Sequence, residues 1–202
     1  MATFADMTTI DVLVFDGCEA LDALGPYEVL AYGGCDVRTV TRDGRRAVRT
    51  SQGLELQAEA PRGGVEWLVV PGGAWDARRT DPRAEAPSGA VGAFARAHRR
   101  AGGHLAAVCT GAMWLADADL IGERPATTHH RYWDELAAMG ADVRRGERVV
   151  DDGDLVTSGG ITSGLFLGLH LVERLVSADA RRRVELEIEL PTIPDVASGT
   201  TA

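Results

Sequence analysis

Leu105-Ala106-Ala107-Val108-Cys109-Thr110-Gly111-Ala112-Met113 is the segment from which the rest of the chain can be read. Residues 104–108 form a short, almost wholly apolar run, the pattern of a strand buried on both faces. The small residues after Cys109 open a helix. A strand that runs through one reactive side chain into a small-residue helix start resembles a nucleophile elbow, which pushes that side chain up and out of the sheet. Two readings of Cys109 follow from this context. It is a nucleophile whose thiolate is favoured by the free N–H groups and dipole of a helix N-terminus, or it is a core cysteine.

The same strand-then-helix rhythm continues on both sides. Residues 10–15, 36–41, 67–70 and 155–157 read as core strands, and 48–59 as a strand pair broken at Gly53. Residues 125–129 read as a further short strand, and 142–145 and 149–150 as edge or hairpin strands around the tight turn Asp151-Asp152-Gly153-Asp154. Helices are expected over 20–32, closed by Gly33-Gly34, and over 89–101, 131–139, 161–176 and 178–190. Strands that alternate with helices imply parallel βαβ units with right-handed crossovers, hence an α/β fold whose mostly parallel sheet is covered by helices on both faces. Reactive residues in such a fold gather at the C-terminal ends of the strands. One catalytic domain is expected over 10–190, between a disordered N-terminal tail at 1–9 and a C-terminal tail at 191–202. A polar loop is expected at 74–87.

Bulk properties exclude several classes. The 202 residues are 45% hydrophobic and 25% charged, as in an ordinary globular protein. No apolar run approaches the ~20 residues needed to cross a bilayer, and residues 1–9 do not have the form of a signal peptide. A net charge of −9 argues against a nucleic-acid surface. Three scattered cysteines suit free thiols in a reducing, cytoplasmic setting. The sequence contains no lysine, which removes Schiff-base chemistry and a Walker-type phosphate loop. It contains no asparagine either, so a Cys-His-Asn constellation cannot form.

Beyond the cysteine, Leu21-Asp22-Ala23-Leu24-Gly25-Pro26 places an acid just past the first strand. Asp22 is either a helix-start residue or, among apolar neighbours, a buried acid able to hold a proton near neutral pH. Gly72 and Gly73, after the strand 67–70, either end that strand in an ordinary turn or offer backbone N–H groups to a developing anion.

Taken in order, Leu21-Asp22-x-x-Gly25-Pro26, Val69-Val70-Pro71-Gly72-Gly73, Val108-Cys109-Thr110-Gly111, Ala126-Thr127-Thr128-His129 and Ser158-Gly159-Gly160-Ile161-Thr162-Ser163-Gly164 resemble the ThiJ/PfpI superfamily, and most closely its isocyanide hydratase branch. The resemblance runs from about residue 10 to 190. It implies a flavodoxin-like (class I glutamine amidotransferase-like) sandwich, a homodimer, Cys109 as nucleophile, Asp22 as acid/base, Thr110 beside the nucleophile and Gly73 as a backbone donor. The protease and deglycase branch carries His after its cysteine and Glu at the acid, where this chain has Thr110 and Asp22. The helix-turn-helix module of the regulator branch is not expected after residue 190.

The reaction so implied is addition of water to an isocyanide to give an N-substituted formamide, on a small-molecule substrate and without cofactor. The rivals are the same scaffold acting on another electrophile such as an α-oxoaldehyde, a cysteine redox sensor, and a ligand-binding module without turnover. Gly25, His129, Trp75 and Ile161 are candidate pocket residues, and Trp114, Tyr132 and Trp133 either wall a pocket or pack in the core. Cys18 lines the pocket or fills the core. No metal is expected, because His129-His130 with Asp134 and Glu135 lack convincing ligand spacing.

Overall fold

Apolar runs that alternate with amphipathic ones can hide their strands only in the middle of a sheet, and they do so here. The structure, a computed structural model, describes residues 7–73, 75–76 and 89–190. The tail expected at 191–202, and most of the tail at 1–9 and of the loop at 74–87, lie outside these residues.

Strand β1 (Thr9–Leu13) leads into helix α1 (Ala20–Tyr32) and strand β2 (Asp36–Val40). A small antiparallel hairpin follows, β3 (Ala47–Arg49) with β4 (Glu55–Gln57). Next come β5 (Trp67–Val70), α2 (Ala90–Arg100), β6 (His104–Val108) and α3 (Gly111–Asp117). The last third holds β7 (Pro125–Ala126), α4 (Trp133–Ala138), β8 (Asp142–Val143), β9 (Val149–Asp151), β10 (Leu155–Ser158), α5 (Ser163–Leu175) and α6 (Ala178–Glu187).

The main sheet has the order β2-β1-β5-β6-β10-β9. All pairs are parallel except the edge strand β9, which runs antiparallel to β10 through the turn at Gly153. The chain steps from β1 outward to β2, but from β5 in the opposite direction to β6. Right-handed crossovers therefore put α1 and α2 on opposite faces. Helix α1 packs on α5, which packs on α6, while α2 packs on α3. With both faces covered, β5 is buried at every position and β6 at all but its first.

Three expectations are corrected. Residues 125–129 do not extend as one strand: only Pro125–Ala126 pairs, in a separate two-stranded sheet with β8. The helix expected over 131–139 is divided, a 3-10 turn at His130–Tyr132 preceding α4. The expected helix start at 161 moves to Ser163, because Ile161 takes a positive φ of 33°.

The point where strand order reverses lies between β1 and β5. An open α/β sheet has a crevice there, outside the carboxyl ends of its strands. The segments following β1, β5 and β6 carry Asp22, Gly72-Gly73 and Cys109.

Candidate active site

Strand β6 ends at Val108, and Cys109 turns into the left-handed region with φ 57°. That conformation costs a residue with a side chain roughly 1–3 kcal/mol, so its surroundings must hold it. The Cys109 N–H donates to the carbonyls of Ser158 (3.1 Å) and Gly159 (3.0 Å). Its own carbonyl accepts a hydrogen bond from Thr128 Oγ1 at 2.8 Å. Helix α3 starts so close to the end of β5 that a Cβ at Gly111 would overlap the Val70 carbonyl oxygen. The elbow expected from the sequence is present.

Asp22 lies in the first turn of α1 and is fully buried. Glu19 caps this helix, its Oε2 accepting from the Asp22 N–H at 2.8 Å. Asp22 Oδ2 accepts from the Gly72 N–H at 3.1 Å. Asp22 Oδ1, equally buried, has no hydrogen-bond partner among the described residues. Gly73 N–H donates to Thr110 Oγ1 at 2.9 Å. A Cβ on Gly72 would lie 2.7 Å from Asp22 Oδ2, Thr110 N and Thr110 Oγ1. Glycine is needed there because two side chains of the site rest directly on the backbone.

This arrangement corrects the role expected for Gly72 and Gly73 as donors to an anion. Their N–H groups hold Asp22 and Thr110. The backbone N–H groups that reach the Cys109 sulfur come from Thr110 and Ile161.

The electrostatics differ from the sequence expectation as well. Burial, and then the Asp22 carboxylate, push the Cys109 thiol up to about 12, against the smaller opposing pull of the two N–H donors. Helix α3 has only seven residues, so its dipole does not outweigh these effects. Burial also raises Asp22, to about 7, and the Glu19 carboxylate adds to it; the Cys109 thiol and the Gly72 N–H pull the other way. The resting pair is therefore a neutral thiol hydrogen-bonded to a carboxylate that itself takes up a proton near neutrality. The expected resting thiolate is not supported.

The remaining candidates separate. Ile161 is at the site, with its N–H on the sulfur and its side chain partly exposed. The His129 ring lies so close to the backbone next to Ile161 that a Cβ on Gly160 would overlap it. Burial, then His130 and Arg131, hold the His129 ring below its ordinary pKa, so it is neutral at pH 7. Gly25 and Trp75 are packing residues: Gly25 faces Leu165 of α5. Trp75 packs edge-on against Trp114, ring centroids 4.7 Å apart, and its Nε1 donates to Glu135 Oε1 at 3.2 Å. Cys18 is buried in the core, its backbone bridged to Gly73. Among the described residues, no group of three or more His, Cys, Asp or Glu is placed to hold a metal, and no helix is long and apolar enough to cross a membrane.

Sequence reasoning missed three contributors. Glu19 orients and perturbs Asp22, Thr128 ties down the elbow, and Asp76 accepts from the Tyr132 hydroxyl at 2.6 Å. Thr128 stood in a quoted motif, but nothing local showed which atom it would reach.

A family model described as the DJ-1/PfpI family matches residues 8–174. Isonitrile hydratase of Pseudomonas putida is 34% identical over 197 residues, which cover 95% of this chain and 82% of that protein. Among solved structures, a ThiJ/PfpI family protein from Pseudomonas syringae superposes with a TM-score of 0.76 at 25% identity, over 96% of this chain and 81% of that one. Drosophila melanogaster DJ-1beta superposes with a TM-score of 0.79 at 21% identity, over 92% and 99% of the two chains, a likeness of fold.

Proposed function

The chain belongs to the DJ-1/PfpI family, and on that premise we propose that it is a cysteine-dependent hydratase, adding water to an isocyanide to give an N-substituted formamide. One observation carries this reading: a wholly buried aspartic acid, pKa about 7, sits beside the Cys109 thiol with one carboxylate oxygen unpartnered. The 34% identity with isonitrile hydratase supports it.

An isocyanide carbon is attacked by a soft nucleophile and carries the lone pair that must then be protonated. Sγ of Cys109 bonds to that carbon as its proton passes to Asp22, which delivers it to the same carbon. The product is a thioimidate, R–N=CH–S–Cys109. Asp22, again ionised, takes a proton from water as the water oxygen bonds to the thioimidate carbon, and the nitrogen gains the proton. The C–S bond then breaks, sulfur recovers a proton, and R–NH–CHO leaves. Every step is carried by the chain's own residues, and no cofactor enters. The Thr110 and Ile161 N–H groups stabilise negative charge on sulfur as it attacks and as it departs.

The neutral thiol weighs against the redox-sensor reading, because oxidation begins from a thiolate. The unpaired cysteines support a reducing, cytoplasmic compartment. We take the working form to be a homodimer.

The test is turnover of p-nitrophenyl isocyanide by the wild type, Cys109→Ala and Asp22→Asn, followed as formamide. Cys109→Ala is expected to be inactive, and Asp22→Asn to lose about a hundredfold or more. Wild-type protein that consumes an α-oxoaldehyde but not the isocyanide would move the assignment to another electrophile.

A further inference from the structure

The second half of the proposed reaction needs a water held with its lone pair towards the carbon on sulfur. One of its protons goes to Asp22, so the other needs an acceptor. Most acceptors around the elbow are already engaged. The carbonyl of Cys109 accepts from Thr128, those of Ser158 and Gly159 accept from the Cys109 N–H, and that of Gly72 accepts from the Glu19 N–H. Thr110 Oγ1 accepts from Gly73. His129 Nδ1 accepts from the Arg131 N–H at 3.3 Å, so the neutral ring carries its proton on Nε2 and is a donor towards the site.

Tyr132 differs from all of these. Its ring centroid is 6.0 Å from that of His129, whose ring packs against Gly160 between the two residues that bond Cys109. Its hydroxyl donates to Asp76 Oδ2 at 2.6 Å. With the proton fixed on Asp76, the phenol oxygen presents only lone pairs elsewhere. Burial and the Asp76 carboxylate push the phenol up to about 12, so it stays neutral, and the Cys109 sulfur acts on it electrostatically. A second bond, Trp75 Nε1 to Glu135, ties the same two segments together one residue from Asp76 and three from Tyr132.

We infer that Tyr132, oriented by Asp76, is a positioning residue whose hydroxyl oxygen accepts a hydrogen bond from the hydrolytic water that attacks the carbon bound to Cys109. This rests on the reading of Cys109 as a nucleophile that forms a hydrolysable adduct. It does not depend on the substrate being an isocyanide, because any acyl or imidoyl group on sulfur needs the same water.

The test therefore uses p-nitrophenyl acetate as well as p-nitrophenyl isocyanide. Acylation of Cys109 releases nitrophenolate in a burst, and hydrolysis of the thioester sets the later steady rate. Tyr132→Phe is expected to keep the burst rate and amplitude while the steady rate falls about tenfold, the worth of one well-placed hydrogen bond. Intact mass should then show acetyl-Cys109 accumulating. Asp76→Ala, an exposed substitution that removes the acceptor and frees the phenol proton, should slow the same phase. If Tyr132→Phe and Asp76→Ala both deacylate at the wild-type rate, the inference is overturned, whatever happens to the isocyanide. A variant slowed equally in burst and steady phase would show a merely structural role and overturn it too. A wild type without any burst would overturn the nucleophile assignment and this inference together. Failure of the isocyanide alone, with deacylation slowed in the variants, would remove the hydratase reading and leave Tyr132 in place.

Discussion

At Asp22 the needs of folding and of chemistry oppose each other. An ionised carboxylate without solvent, and with one oxygen unpartnered, destabilises the fold, yet that unpartnered oxygen is what can move a proton. Its folded-state pKa of about 7 lies above the ordinary 3.8, so the folded protein binds more protons than the unfolded chain between these values. Stability is then fully present below about pH 4 and is lost as pH rises through about 7, to the extent of roughly 4 kcal/mol. Asp22→Asn keeps the acceptor for Gly72 but cannot ionise. In urea unfolding its advantage over the wild type is expected to grow by roughly 2–4 kcal/mol from pH 5 to pH 8, and Glu19→Gln, which removes a carboxylate that raises Asp22, should make the decline smaller and end it at lower pH. An unchanged difference between the two pH values would show that burial of the charge is not what raises Asp22. Asp22 and Cys109 themselves were legible from their motifs. The protonation of the thiol was not, because it depends on how deeply the pair is buried and on how near the carboxylate comes.

Elements with local punctuation were read closely. Helix α1 has the expected bounds, with Gly33 as its C-cap, and β5 and β6 occupy the expected residues. The failures lie where side chains reach across the molecule. Thr127 and Thr128 are β-formers by composition, but the Thr127 N–H bonds to Thr157 Oγ1 and Thr128 bonds to Cys109, so these two residues serve the elbow and not a ladder. The Cys109 carbonyl takes its short hydrogen bond, 2.8 Å, from that hydroxyl across 19 positions of sequence, beside a longer one of 3.4 Å from the Ala112 N–H. Thr128→Val preserves shape and removes the shorter of the two bonds, leaving a buried carbonyl with only the long Ala112 N–H contact at a residue already held at positive φ. The expected result is a loss of about 1–3 kcal/mol in stability, with isocyanide or ester turnover falling more than binding, because the elbow and not the pocket has moved. Thermal unfolding with separate kcat and KM measurements checks this. A Thr128→Val protein with wild-type stability and kcat would show that β10 alone holds the elbow.

Over the whole molecule, the strand-order reversal between β1 and β5 brings residues 22, 72 and 109 to one crevice, and that convergence follows from βαβ topology, which was legible. What lies around the crevice was not. Leu21, Leu54 and Ile161 are each about 40–50% exposed. Leu21 precedes Asp22, and Ile161 bonds the sulfur. Leu54 ends the turn of a hairpin that is bonded to the loop before α1, through Ser51 N–H to the Cys18 carbonyl and Gly17 N–H to the Arg49 carbonyl. Exposed apolar side chains beside a reactive centre suit coverage by a second copy of the chain. Each copy carries a net charge of −9, so long-range repulsion opposes pairing and the contact must be stabilised by apolar burial. Two consequences distinguish this interface from an electrostatic one. Light scattering at micromolar concentration should give twice the mass of the chain, and raising salt should tighten the dimer by screening the repulsion. Leu54→Glu adds a charge to each side of the contact and should yield monomers, with turnover falling because Leu21 and Ile161, beside Asp22 and the Cys109 sulfur, lose their cover. Dimers that persist in Leu54→Glu would place the contact on another face, and a wild-type monomer would exclude the dimer altogether.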